Sequence, residues 1–369
     1  MIDMDVRSTA LDDARYRALE HPAGERYIEV LDQRELPHAV ARVRILDPND
    51  AAAAIRDMVV RGAPLIGAVG AYGLALALDR DSSDAGLMRA HALLDASRPT
   101  AVNLRWALDR VRDRVSGLPP ARRADAAWKE ADAIRDEDVA INAALGQHGL
   151  ALLRDLNRDG NGPINVMTHC NAGALATCGF GTATAPIFLA HEAGVPLHVW
   201  VSETRPRLQG ANLTAWELAA RGIAHTLVVD SASGLLMRRG DVDIVIVGAD
   251  RVARNGDVCN KIGTYDKALA ARDNDVPFYV ALPSRTIDWH TASGDGIPIE
   301  ARSSREVLEI RGRDADGESV GVVVAGRSTP ALNYAFDVTP QRLVSGYITE
   351  RGVATSVAEL HGLFEERLP

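Results

Sequence analysis

The sequence predicts an α/β chain: a mostly helical N-terminal domain with a small β hairpin, residues 1–156, followed by a Rossmann-like parallel-sheet C-terminal domain, residues 163–369. Three observations carry this. Between residues 47 and 156, apolar residues recur every three or four positions, the period of helices that bury one face. From residue 164 onward, short apolar runs alternate with helix-like stretches, which is the pattern of a parallel sheet covered by helices on both faces. Separating the two regions, Asn157-Arg158-Asp159-Gly160-Asn161-Gly162-Pro163 has turn residues and too few apolar ones to form an element.

Taken in order, residues 1 to about 25 are polar and read as a loosely held lead-in. Residues 26–30 and 39–45 alternate apolar and polar around Leu36-Pro37-His38, as paired strands do. Asp47 is placed as an N-cap with Pro48 at the first helical position, and Ala51, Ala54, Ile55, Met58 and Val59 keep helical spacing as far as Arg61-Gly62-Ala63-Pro64. Residues 65–78 are rich in Gly and Ala and apolar all round, so that helix is buried and packs closely. Three more helices follow at 85–95, 99–115 and 120–156. In the second region, strands are expected at 164–167, 197–201, 226–229, 242–247 and 277–282, with helices at 211–221, 234–238 and 263–272. The end is less regular: a strand at 321–325, a short helix at 340–347 and an amphipathic closing helix at 356–367.

Composition narrows the function. With 47% hydrophobic and 25% charged residues this is an ordinary globular composition, and a net charge of −9 argues against a nucleic-acid surface. No apolar run approaches the roughly 20 residues that span a bilayer. Asp3, Asp5, Arg7, Asp12 and Asp13 occupy the place of a secretory signal, so a cytoplasmic protein without membrane partners is expected. Cys170, Cys178 and Cys259 lack CxxC spacing, so neither a disulfide framework nor a structural metal is expected.

Polar groups follow directly on apolar runs at four strand ends: Thr168-His169-Cys170-Asn171, Ser202-Glu203-Thr204-Arg205, Gly248-Ala249-Asp250-Arg251 and Pro283-Ser284-Arg285-Thr286. In a parallel sheet these ends share one edge, where open α/β sheets bind ligands. Cys170 precedes a glycine-rich turn, and a helix starting soon after it would favour thiolate, although most free cysteines are simply buried. Cys178 reads as packing, and Cys259 is placed near the same cleft. His169, adjacent to Cys170 on a strand, points to the opposite face and is not its partner. Asp250 leaves a dry strand for a cleft, which suits acid/base work; a salt bridge with Arg251 or a helix cap is the plain alternative. Arg61-Gly62-Ala63-Pro64 and Arg98-Pro99-Thr100 each set an arginine at a helix start, and Asn260-Lys261 precede another, so three anion cradles are expected. Together they imply a small phosphorylated substrate held between the domains. Neither a Walker loop nor GxGxxG after a strand occurs, so a nucleotide is not indicated.

The segments RGAPLIGAVGAYG at 61–73, RPTAVNLRWALDR at 98–110, THCNAGALATCGFGTA at 168–183, ETRPRLQGANLTAWEL at 203–218, VGADRVARNGDVCNKIGTY at 247–265 and NYAFDVTPQRLVSGYITERG at 333–352 closely resemble the S-methyl-5-thioribose-1-phosphate isomerase family. Its superfamily includes regulatory subunits of the translation-initiation nucleotide-exchange complex. The resemblance implies aldose-to-ketose isomerisation of 5-methylthioribose 1-phosphate in methionine salvage, with no metal or organic cofactor, in a homodimer. It implies a catalytic pair of Cys170 and Asp250, with Arg61, Gly62, Ala63, Arg98, Gln209, Asn260 and Lys261 holding the substrate. Of these, Gln209 follows from the resemblance alone. Asn212, Cys259 and Arg285 depart from the usual family pattern and bear on pocket detail. An isomerase of 5-deoxyribose 1-phosphate or ribose 1,5-bisphosphate is the enzymatic alternative, and Arg285 is the one unusual cation available for a second phosphate. A non-catalytic regulatory or scaffold relative is the alternative from another class.

Overall fold

A computed structural model describes residues 17–98, 101–157, 160, 162–326 and 328–368. Its first elements are β1 (Leu19–Glu20), β2 (Ile28–Leu31) and β3 (Arg42–Ile45), an antiparallel three-stranded sheet. The expected hairpin is therefore β2 and β3. The described end of the lead-in is not loose, because Leu19 pairs with Val30 and is buried with Ala18.

Helices follow: α1 (Pro48–Arg56), α2 (Ala63–Arg80), α3 (Asp84–Asp95), α4 (Val102–Ser116) and α5 (Pro120–Leu156). The Asp47 side chain accepts from the amides of Asn49 and Asp50, the cap expected of it. Contrary to the spacing argument, α1 stops before Met58 and Val59, since Met58 takes a left-handed φ of 59°; both side chains are buried all the same. Every residue of α2 from Leu65 to Leu78 is buried, and α4 and α5 pack against it. The expected start of α4 at Pro99 and Thr100 lies outside the described residues. The 37-residue α5 runs through two apolar cores: its first half, to Ile134, packs with α2 and α4, and its second half, from Leu145, packs with the large sheet.

The second region contains β4 (Ile164–His169), α6 (Ala185–Glu192), β5 (Leu197–Ser202), α7 (Ala215–Ala220), β6 (His225–Val228), α8 (Ser233–Arg238), β7 (Ile244–Val247), β8 (Arg251–Ala253), β9 (Val258–Lys261), α9 (Thr264–Asp273) and β10 (Phe278–Ala281). Next come β11 (Ile287–Asp288), α10 (Arg305–Leu308), β12 (Glu309–Arg313), β13 (Ser319–Val323), β14 (Phe336–Thr339), β15 (Gly346–Thr349), β16 (Gly352–Ala354) and α11 (Val357–Leu363). Among the described residues, seven strands form one sheet in the order β16-β15-β10-β7-β4-β5-β6, parallel except for β16. Successive strands run outward from β4 in one direction through β5 and β6, then resume at β7 on its other side. This is the doubly wound order, with its switch point between β4 and β7.

Three expectations are corrected at the C-terminal end. Residues 340–347 are a single 3-10 turn at Gln341–Leu343 followed by strand β15, not a helix. Leu343 and Tyr347 have helical spacing, but Gly346 to Thr349 are buried on both faces and pair with β10. The strand expected at 321–325 is β13, which pairs only with β12 in a separate two-stranded ribbon that leaves Val322 and Val323 exposed. A second small sheet, β11-β8-β9-β14, was not anticipated, and it moves Asn260 and Lys261 from a loop onto a strand.

Candidate active site

Cys170 follows β4, and Asp250 comes directly after the pair Gly248-Ala249 that follows β7, so both sit at the switch point of the sheet. Cys170 is buried, with a left-handed φ of 63° that a residue with a Cβ adopts only under constraint. Hydrogen bonds supply it. The Cys170 amide donates to Thr204 Oγ1 at 2.8 Å, and Thr214 Oγ1 donates to the Cys170 carbonyl at 2.6 Å. Thr204 is itself left-handed, at 66°, with its amide donating to Asp230. The helix expected soon after Cys170 in the chain is absent: a 3-10 turn spans Ala174–Ala176, and α6 begins only at Ala185. The His169 ring turns away as anticipated, with Nε2 2.8 Å from the Ile262 carbonyl oxygen, and burial pushes its pKa well below the usual imidazole value.

Asp250 is held through its amide, which donates to the Cys259 carbonyl at 3.0 Å across the β8-β9 hairpin. The neighbouring Arg251 pairs with Asp288 at 3.5 Å. A small cavity of about 40 Å³ is lined by Asp250, Ala63, Arg98, Cys259 and Phe336. Cys259 thus lines the cleft as expected, its thiol pushed up to about 12 by burial and then by Asp250. Burial also lowers Arg98, opposed by Glu300 and Asp250.

Arg61 reaches the site from the helical region. Its guanidinium donates to Asn171 Oδ1 at 2.5 Å and to the Asn171 carbonyl at 2.7 Å. Gly62 makes this approach possible: φ is +102°, and a Cβ would lie 2.3 Å from the Ala176 carbonyl oxygen. α2 starts at Ala63 with no side-chain cap among the described residues, which leaves its first amides for an anion. Arg61, Gln209 and Asn212 line a larger cavity of about 440 Å³ that also contains Arg34, Arg207 and Glu306. Gln209 is buried, and its Oε1 has no partner among the described residues.

Lys261 lies beside Phe336, one of the residues lining the smaller cavity. Its ammonium stands 4.6 Å over the Phe336 ring, and burial lowers its pKa, opposed by the nearby Cys170 and Asp250 and reinforced by Arg98 and Arg61. Thiol, carboxylate and three cations therefore share one electrostatic neighbourhood. The cradle expected at the α9 start is different from the forecast. Asp337 from β14 accepts from the Gly263 amide at 2.6 Å and the Tyr265 amide at 3.2 Å, so those amides are already taken. Asn260 Nδ2 is bonded to Thr264 Oγ1. Of the four strand ends, that of β5 supports Cys170 through Thr204. That of β10 turns aside: Ser284 is bonded to Glu350, and Arg285 stacks 4.5 Å from the Trp106 ring with Glu137 beside it. Sequence reasoning passed over Glu217 and Thr214, whose polar atoms are buried behind Asn171; one helical Glu and one helical Thr give no signal of that.

Doubly wound α/β proteins bind ligands at the switch point, and this chain is of that class, with Cys170 and Asp250 following the two strands that flank it. The chain belongs to the initiation factor 2 subunit family, which matches residues 59–356, and within it to the methylthioribose-1-phosphate isomerases. It is 57% identical over 348 residues to the methylthioribose-1-phosphate isomerase of Rhodospirillum rubrum, covering 92% of this chain and 89% of that one. The 5-methylthioribose 1-phosphate isomerase of Pyrococcus horikoshii OT3 superposes with a TM-score of 0.82 at 38% identity, over 95% of this chain and 96% of that one. The translation initiation factor eIF-2B subunit delta of A. fulgidus gives 0.79 at 35% identity, over 95% and 99%.

Proposed function

We propose that this chain isomerises 5-methylthioribose 1-phosphate to 5-methylthioribulose 1-phosphate, the activity named for its relatives at 52 to 57% identity and the aldose-ketose step that belongs to methionine salvage. The observation that supports the reading is that Cys170 and Asp250 follow β4 and β7, the adjacent strands that flank the switch point, and that both of them, with Arg61 and Arg98, act on the charge of Lys261. In this reading the phosphate lies among these cations and the amides at the start of α2, near Gly62 and Ala63. Gln209, with its unpartnered oxygen, and Asn260 take sugar hydroxyls.

The chemistry assigns the pair distinct tasks. With C1 esterified, the sugar has no free aldehyde, so the ring C1–O bond must break while Asp250 delivers a proton to the departing ring oxygen. The hydrogen on C2 then moves to C1, the C2 hydroxyl gives its proton to the Asp250 carboxylate left by the first step, and C2 becomes the carbonyl. Cys170 acts as base if hydrogen travels as a proton through an enediol-like species, and stabilises the charged intermediate if it travels as hydride. Running the reaction in deuterated water separates the routes, since only the proton route takes deuterium into C1.

Arg285 is occupied by Trp106 and Glu137, which weighs against a second phosphate site and so against the bisphosphate substrate. We extend the proposal to the two-domain division, 1–156 and 163–369, and to a cytoplasmic homodimer without cofactor. Among the described residues no helix is long and apolar enough to cross a membrane. Phosphorus NMR of purified protein with 5-methylthioribose 1-phosphate tests the function, run beside Cys170→Ser, Asp250→Asn and 5-deoxyribose 1-phosphate. Turnover by the wild type and loss of at least about a hundredfold in each variant is expected. A folded wild type that converts neither sugar overturns the reading.

A further inference from the structure

Glu217 lies on α7, is 1% exposed, and touches none of the reacting groups named above. Both of its oxygens are committed. Oε1 accepts from the Leu175 amide at 3.0 Å, and Oε2 accepts from Asn171 Nδ2 at 2.6 Å. Asn171 Nδ2 also donates to Thr214 Oγ1 at 3.2 Å. The amino end of the Asn171 amide is therefore fully used on this side, which forces its carbonyl end toward Arg61. There the guanidinium makes its two bonds, to Oδ1 and to the Asn171 backbone oxygen, a paired contact that fixes its plane.

We propose that Glu217 is a positioning residue: through Asn171 it orients the Arg61 guanidinium for the substrate's phosphate. The inference rests on the phosphate-binding role proposed for Arg61. The space beside the carboxylate is reserved by Gly173, where a Cβ would lie 2.0 Å from Glu217 Oε2. The charges of Arg221 and Arg61 and the two hydrogen bonds oppose the burial that raises the carboxyl pKa. What the site requires is a group with two acceptors and no donor, because two N–H groups converge on it. A glutamine has the same shape but only one acceptor. With its oxygen on the fixed Leu175 amide, its NH₂ faces the NH₂ of Asn171. Asn171 must then flip, and its NH₂ meets the guanidinium of Arg61.

The test exploits this polarity. Glu217→Gln keeps the shape and breaks the pattern, whereas the double variant Asn171→Asp with Glu217→Gln restores it in reverse: the glutamine NH₂ donates to one aspartate oxygen and Arg61 to the other. KM and kcat for 5-methylthioribose 1-phosphate, the dissociation constant of inorganic phosphate, and the melting temperature are measured for wild type and both variants. Since the phosphate is held alike in the ground and transition states, Glu217→Gln is expected to raise KM and the phosphate constant by about tenfold with kcat changed less, and the double variant to recover most of that loss. A folded Glu217→Gln with KM and phosphate affinity within about twofold of wild type overturns the proposal. So does a double variant no better than the single one, which would mark Glu217 as a packing residue. If wild type itself fails to convert the sugar, the isomerase reading falls, and the phosphate constants still decide the relay.

Discussion

Cys170 and Thr204 hold left-handed backbone next to each other in space: the Thr204 hydroxyl accepts from the Cys170 amide, and Asp230 accepts from the Thr204 amide. Such strain persists at functional sites only where the surroundings over-determine it. Thr204→Val preserves the branched shape and removes the acceptor, leaving the buried Cys170 amide unpaired, a cost of about 1 to 3 kcal/mol. The expected outcome is a loss of that order in chemical denaturation with a fall in kcat, whereas Thr204→Ser, which keeps the hydroxyl, stays near wild type. Equal behaviour of the valine and serine variants would remove the hydroxyl from the argument. At this scale the sequence showed what chemistry residue types announce. Cys170 and Asp250 end apolar strands, and Arg61, Arg98 and Lys261 stand out as cations beside turns. Gln209 was silent, because a glutamine in a polar segment gives no hint that its chain will be buried with an unpartnered oxygen. Glu217 was silent for the converse reason, since a glutamate on a helix reads as solvated until Asn171 and Leu175 are known to face it.

Individual elements follow their local signals when those signals are periodic and capped. Asp47, Pro48 and the alanines after them specify α1, and the Asp47 carboxylate accepts two amides there. Those hydrogen bonds, led by that from Asp50, hold its pKa below the ordinary 3.8. A depressed carboxyl pKa means stability that is present above 3.8 and lost as pH falls through the lower folded value. Asp47→Ala is expected to cost about 1 kcal/mol at neutral pH, and the gap to wild type should narrow in acid. Denaturant melts at pH 7 and below 3.8 check both; a gap that widens in acid contradicts the cap. Elements whose identity depends on distant partners were the ones misread. β15 looks helical until β10 and β16 pair with it, and the amides at the start of α9 look free until Asp337, 74 residues on, closes them.

Across the whole molecule, the doubly wound order follows from alternating strands and helices, but how the helical region meets the sheet does not. That junction depends on α5, which leaves one apolar core at Ile134 and enters the next at Leu145. Between those points it carries Asp138, 1% exposed, which accepts from Asn142 Nδ2 and from the Cys178 amide, with Arg285 near and its Oδ1 unpartnered among the described residues. Burial raises its carboxyl from 3.8 to about 6, with the Cys178 amide and Arg285 opposing. The sign follows from proton counting. Between those two pH values the folded chain holds a proton that the unfolded chain has released, so this group's contribution to stability falls as pH rises from about 4 to about 6 and is flat beyond. His169, whose depressed pKa acts in the opposite direction, obscures this slope in wild type alone. It cancels in a comparison with Asp138→Asn, where only the group at position 138 differs. The melting temperature of the variant minus that of wild type should climb across this window and level off above about pH 6. A difference that stays constant with pH would mean that Asp138 is ionised throughout, and that the junction between the two cores holds a permanent buried charge.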